Sequence, residues 1–456
     1  MMLSLHETPA VDAPQPESLS LIAEQVLSLA AARGASQSSV NVSQRNRRNI
    51  RVRNGDIDTL TQSHSQFLSV TVYFGQRSGT ISSTLFTQDA LQEAVESACL
   101  LAKYGDEDPY SGLPDQRHLA TDIRDLELYE PETLTVEQAL ALALRAEKAA
   151  NDTQPGRCYS ESTEISSQQS EFILANSAGF CAGYPSSFHS LWNQSLARND
   201  RQRQQGYWGI TRRSPAQLNP PEITGRTAAQ RALAQLGAQK LSTRRCPVLF
   251  EAPVAHSLIN HLVNALSGSA LYRSTSFLGL CLGETIAADH LSLHEDPFIP
   301  GGLASACFDT EGVAASTRHI IHDGLAQGYF LSSYSARRLG MATTGNAGGA
   351  YNLTVTSRLS QPGDNLPAML RKMHNGLLVT TLLGQGLNPM TGDYSQGVSG
   401  FWVENGEIQY PVEEITIAGN LKTMLQQCVA HGAEAHTQGH LTCGSILIEE
   451  MQIAGQ

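Results

Sequence analysis

The chain has 456 residues, 41% of them hydrophobic and 16% charged, and a formal net charge of −12. It is long enough for two or three domains with sizeable cores, and no run approaches the roughly 18–20 apolar residues that span a bilayer. The acidic balance argues against a general nucleic-acid or anionic-membrane binder, and eight cysteines with no CxxC pair fit reduced thiols in a cytoplasm.

Residues 1–17 carry no basic region and no apolar stretch, so they do not read as a signal peptide. With Pro9, Pro14 and Pro16 they predict a flexible tail. Leu19, Ile22, Ala23, Val26, Leu27 and Ala30 recur at helical spacing and predict a helix over 17–33, ended by Gly34. Alternating stretches at 38–60 and 66–86 predict strands. Asn54-Gly55 should turn a hairpin, because a two-residue turn needs positive φ at both central positions. Helices at 87–104 and 135–151 flank a loop rich in Asp and Pro. Strands follow at 157–175, 178–196 and 204–213. Asn219-Pro220-Pro221 then breaks the chain before a helix at 222–238. Lys240, Arg244 and Arg245 mark a polar linker, dividing an N-terminal α+β domain (18–240) from a β-rich domain (241–456).

The second half begins with a short strand at 247–250 and a helix at 253–268. Asp323-Gly324 and Asn405-Gly406 predict hairpin turns between β-rich runs, and one more helix fits 333–340. The expected fold class is α+β in two domains, the second built on antiparallel sheet. Glycine-rich segments at 345–349 and 384–386 lack the spacing of nucleotide loops and predict backbones passing closely around a cleft.

Several clusters invite a chemical reading. His436, His440 and Cys443 form an HxxxHxxC pattern with three possible metal donors, but their glycine-containing surroundings predict a loop running into a strand at 445–448. His290 and His294 read as surface histidines in a turn before Pro297. His319 and His322, three apart on a strand, are expected on opposite faces. Arg45, Arg47, Arg51 and Arg53 share one face of a strand, either as an anion site or as a charge-protected sheet edge.

The densest signals lie after residue 240: Tyr272-Arg273-Ser274-Thr275-Ser276-Phe277-Leu278, Phe308-Asp309-Thr310-Glu311-Gly312-Val313, Ser332 to Gly340, Thr344 to Gly349, and Thr391 to Leu421. Through these stretches the chain resembles the TldD/PmbA metallopeptidase family, once labelled modulators of DNA gyrase, and its PmbA (TldE) branch in particular. The resemblance implies that active members hold zinc with HExxxH and a C-terminal cysteine. The matching positions here are His261, Leu262, Leu266 and Cys443. Leucine neither ligates zinc nor moves a proton, so no catalytic residue and no metal are expected in this chain. Leu262 and Leu266 instead extend an apolar helix face with Leu258 and Val263.

The resemblance further implies a heterodimer with a TldD-branch subunit that carries the zinc, acting on peptides or unfolded proteins, or a homodimer when alone. Tyr334, Arg337, Asp393 and Tyr394 are candidates to line the substrate cleft. Two alternatives stay open. One is a metallopeptidase in its own right, using His261 or His436 and His440 with Cys443. The other is a regulatory protein acting on DNA gyrase through the arginine row.

Overall fold

The computed structural model describes residues 16–455, so residues 1–15 of the expected tail lie outside the described residues. By internal contacts the chain divides into two units. Among the described residues the smaller comprises 16–46, 64–113 and 170–185, and the larger comprises 47–63, 114–169 and 186–455.

In the smaller unit the helices Pro16–Ala32 and Gln88–Tyr104 cover one face of a sheet. Their apolar stripes, Leu19, Ala23, Val26 and Ala30 with Leu91, Val95 and Ala98, meet Val40, Val42, Leu68, Val70 and Val72, all essentially fully buried. Thr87 starts the second helix by accepting the Ala90 N–H. The turn at Gly75, between the strands Asp56–Phe74 and Arg77–Ser83, divides what the sequence suggests is one run.

In the larger unit, the helix Val136–Thr153 packs on Ile50, Val52, Ile165 and Leu191, and Pro221–Ala234 packs on Cys158 and Ala197. Thr135 and Gln138 close both bonds of a capping box, which fixes where the first of these begins. Asn54 and Gly55 have φ of 55° and 80°, the paired positive values that the hairpin requires. The arginine-bearing strand Gln37–Arg53 has sheet neighbours on both sides. The sheet-edge reading of Arg45–Arg53 is therefore corrected. Arg45, Arg47, Arg51 and Arg53 are exposed on one face, while Arg48 turns to Glu132 at 2.6 Å.

Two further six-stranded sheets form the β-rich region. One runs, in spatial order, Leu325–Ala326, Arg318–His322, Leu291–Asp296, Asn352–Ser357, Leu441–Cys443 and His436–Gln438. The other runs Glu407–Asn420, Asp393–Glu404, Gly376–Leu383, Arg244–Phe250, Ile446–Ala454 and Cys428–His431. Its first strand also pairs with Ile446–Ala454, so five strands close into a ring. Closure removes two edges that would otherwise be open to aggregation. Most pairings are antiparallel, but Gly376–Leu383 runs parallel to Arg244–Phe250, and Asn352–Ser357 parallel to Leu441–Cys443. Short helices at Leu366–Met373 and Leu421–Gln426 escaped the sequence reading, being about two turns or fewer.

Three local expectations are corrected. His294 sits in the strand Leu291–Asp296 rather than a turn, while His290 is in the turn just before that strand but is buried instead of on the surface, bonded to Ser357 Oγ and the Cys428 carbonyl. His436 to Cys443 is a small hairpin, not a loop. His319 and His322 share a face, with ring centroids 4.8 Å apart and His294 4.9 Å from His319. The cause is a bulge: pairing steps from Leu293–Ile321 to His294–His319, leaving Ile320 over. Ile320 and Ile321 are both buried, and the alternation inverts between them.

All eight cysteines are free thiols, with Cys181 exposed and the other seven buried. Among the described residues, no helix is long and apolar enough to cross a membrane.

Candidate functional site

The helix Ala252–Ala265 follows the strand Arg244–Phe250 and carries two histidines. Leu258, Leu262 and Leu266 lie along its inner face with at most 1% exposure, in the largest core cluster. Burial of each contributes roughly 1.5–3 kcal/mol. The helix ends at Ala265, where Ser267 caps a second short helix, Gly268–Tyr272.

His261 sits on a flank of this helix and is half-buried. It lines a cavity of about 640 Å³ with Ser257 and Asn264 of its own helix, Arg273, and Gln385 and Gln396 across the gap. Among the described residues its ring makes no hydrogen bond, only an edge-on contact with Tyr394 at 6.4 Å. Burial lowers its pKa, so the imidazole stays neutral at pH 7. The far wall is pinned by Gln396, whose amide donates to the carbonyls of Leu383 (2.6 Å) and Gly384 (3.1 Å). Gly386 comes so close that a Cβ there would meet the Ser395 carbonyl oxygen at 2.6 Å. Carboxamides, hydroxyls and a neutral imidazole can exchange hydrogen bonds with a peptide main chain without reading its sequence.

Cys443 lies elsewhere in the core, 1% exposed. Its sulfur is 3.8 Å from His431 Nε2, which accepts the Gly444 N–H at 3.1 Å. That bond places the His431 proton on Nδ1. Burial pushes His431 down to about 4 and pushes the Cys443 thiol up, so both stay neutral. A buried thiol beside a neutral imidazole is poorly nucleophilic. His431 escaped the sequence reading because strand register, not spacing, brings it to Cys443.

His436 and His440 do not join that thiol in a ligand set. His436 stacks on His256 at 5.3 Å, while the His440 carbonyl accepts the Leu353 N–H. His256 is buried, donates Nε2–H to the His436 carbonyl at 2.9 Å, and faces the Gln438 carboxamide with Nδ1.

A catalytic zinc needs about three protein donors, an open position and a base. The residues present do not fit one. Leu262 and Leu266 supply core packing, Cys443 is committed to His431, and His261 stands alone. Among the described residues, no three His, Cys, Asp or Glu side chains converge as a metal-ligand set.

The four cleft candidates have separate positions. Tyr394 is 1% exposed behind His261, with a hydroxyl that has no hydrogen-bond partner among the described residues. Tyr334 and Arg337 stand on the helix Ser333–Leu339, Tyr334 edge-on to Tyr272 at 5.7 Å. Asp393 is exposed and accepts from Thr391 Oγ1 at 2.8 Å, tying the loop before it.

Comparison with known proteins adds independent findings. Profiles of the PmbA/TldA metallopeptidase family match residues 39–102 (domain 1), 129–236 (central domain) and 243–455 (C-terminal domain). The metalloprotease PmbA of Escherichia coli O157:H7 is 41% identical over 407 residues, covering 89% of this chain and 90% of its own. A candidate modulator of DNA gyrase from Bacteroides thetaiotaomicron superposes with a TM-score of 0.90 at 25% identity, over 97% of this chain and 100% of that one. TldE from Thermococcus kodakarensis shares the fold, with a TM-score of 0.82 at 20% identity, over 95% of this chain and 100% of its own.

Proposed function

The chain belongs to the PmbA/TldA metallopeptidase family, and we propose that it is the peptide-holding, non-catalytic subunit of a two-subunit metallopeptidase. One observation carries this reading: two of the positions matching HExxxH are Leu262 and Leu266, both sealed in the core. Zinc and the general base then come from a TldD-branch partner. This chain contributes a wall at the His261 cavity, where Asn264, Gln385 and Ser257 meet the main chain of an extended peptide. Peptides and unfolded segments suit such a wall because it offers amides and hydroxyls in place of a deep side-chain pocket. The pair would work in the cytoplasm, in keeping with eight unpaired cysteines.

The test is zinc content and casein-type peptidase activity, on this chain alone and mixed with a TldD-branch partner. A metal-free, inert chain that becomes part of an active mixture is the expected result. Zinc and turnover in the lone chain overturn the reading.

A further inference from the structure

A second cavity lies away from His261, where two sheets end. The strand Arg203–Arg212 is the last of one six-stranded sheet, and His436–Gln438 is the last of another. The space between them is about 250 Å³, a size for one residue of a peptide rather than a drug-sized molecule, which takes roughly 300–1,000 Å³.

Its lining is aromatic. Trp192 is paired with Gly209 on the neighbouring strand. Any side chain on Gly209 would collide with it, since a Cβ there comes within 2.1 Å of the indole. Glycine thus leaves the ring flat against the strand and 37% exposed. Trp208, next to Gly209 on the strand, lies on the opposite face from Trp192 and on the same face as Arg212, with the Arg231 guanidinium 5.4 Å from its ring and His436 5.5 Å away. Tyr207 stands at the rim, 55% exposed.

The cavity is also cationic. Arg231 is already committed, as both its terminal nitrogens reach the Glu251 carboxylate at 2.9 and 2.7 Å. Arg212 is not. Its guanidinium touches only the Thr211 carbonyl and pairs with no carboxylate among the described residues. Burial, then His256, Arg231 and Arg212, push His436 down to about 4, so it adds a neutral ring rather than a charge. His256 holds this wall rigid by bonding the His436 carbonyl.

We propose that this cavity anchors the C-terminal residue of a peptide, its aromatic or large apolar side chain on Trp208 and its free carboxylate on Arg212. An unpaired, half-buried guanidinium on the same strand face as an indole suits a ligand that brings both groups on one residue. The strand edges on either side accommodate the extended chain that leads to it. The site needs no metal and no partner subunit, so its fate is separate from the subunit reading above.

Two of the three tryptophans line the cavity, and the third, Trp402, is buried beneath Arg244 elsewhere. Intrinsic fluorescence of the full chain therefore reports occupancy. The probes are acetyl-Gly-Gly-Phe as the free acid, the same peptide as its C-terminal amide, and acetyl-Gly-Gly-Gly as the free acid. The free-acid Phe peptide should change the emission and bind about tenfold or more tightly than either control, since a charge-assisted bond contributes about 1.5–3 kcal/mol. Arg212→Gln should erase the preference for acid over amide, and Trp208→Ala the preference for Phe over Gly. Arg212 is half-buried and pairs with no carboxylate among the described residues, so its variant should keep the fold, which circular dichroism checks. Equal binding of acid and amide by the native chain, or a preference that survives Arg212→Gln, overturns the proposal.

Discussion

His256 and His261 stand five residues apart on one helix and have opposite situations. His256 is buried and engages both ring nitrogens, one with the His436 carbonyl and one with Gln438. His261 opens onto a cavity and makes no hydrogen bond among the described residues. The same side chain is a bracket at one position and an available ligand group at the other. Hydrogen-bond satisfaction, not residue type, separates them, because a buried polar group without partners costs about 1–3 kcal/mol. In a metallopeptidase the histidine at the second position would be held by an ion. Here it is kept neutral by burial and left unclaimed.

The contrast can be broken most severely beside His261. Leu262→Glu restores the acidic residue of HExxxH but places a carboxylate at 1% exposure among Leu258, Leu266 and Ile259. We expect a loss of about 4 kcal/mol or more in urea denaturation, the range for an unpaired buried charge. Near-native stability would show that the helix can turn this position outward.

Acid should come next in size. His431 binds its proton at about 4 when folded and near 6.5 when unfolded, so the unfolded state takes up more protons between those values. Stability is complete above pH 6.5 and falls as the pH drops toward 4, by about 3 kcal/mol from this residue alone. Replacing it, as in His431→Gln, should flatten that part of the stability-versus-pH curve. An unchanged slope would place the acid sensitivity elsewhere, with His436 the next candidate.

The direct comparison is smaller and sharper. His256→Ala removes two hydrogen bonds and buried volume, and should cost about 2–3 kcal/mol. His261→Ala should alter stability by less than about 0.5 kcal/mol. It should still weaken capture of unfolded peptide by the proposed two-subunit assembly, read as a rise in KM with little change in kcat. Equal destabilisation by the two substitutions would end the distinction between bracket and ligand group.

What the sequence discloses here follows local physics. Asn54-Gly55, Asp323-Gly324 and Asn405-Gly406 announce hairpins because each pair adopts the positive φ those turns require. Thr135 and Gln138 announce a helix start because both halves of the capping bond lie within four residues. The apolar face of Leu258, Leu262 and Leu266 is equally readable. Hidden from view are features set by strand register: the closed ring of five strands, the meeting of His431 with Cys443, and the extra residue at Ile320. The bulge is instructive, since Arg318-His319-Ile320-Ile321-His322 reads as a regular strand and nothing in its composition marks the slip. Trp192 and Trp208 are likewise unremarkable in sequence until Gly209 is seen lying beneath an indole.

The distribution of thiols gives the native chain a use in its own right. With Cys181 exposed and seven others buried, a maleimide dye at mildly alkaline pH should attach once per folded molecule and eight times in denaturant. No engineered cysteine is required for a uniquely placed fluorophore. The second and later labels then act as a clock, each marking the moment at which a covered strand or helix first opens to the reagent.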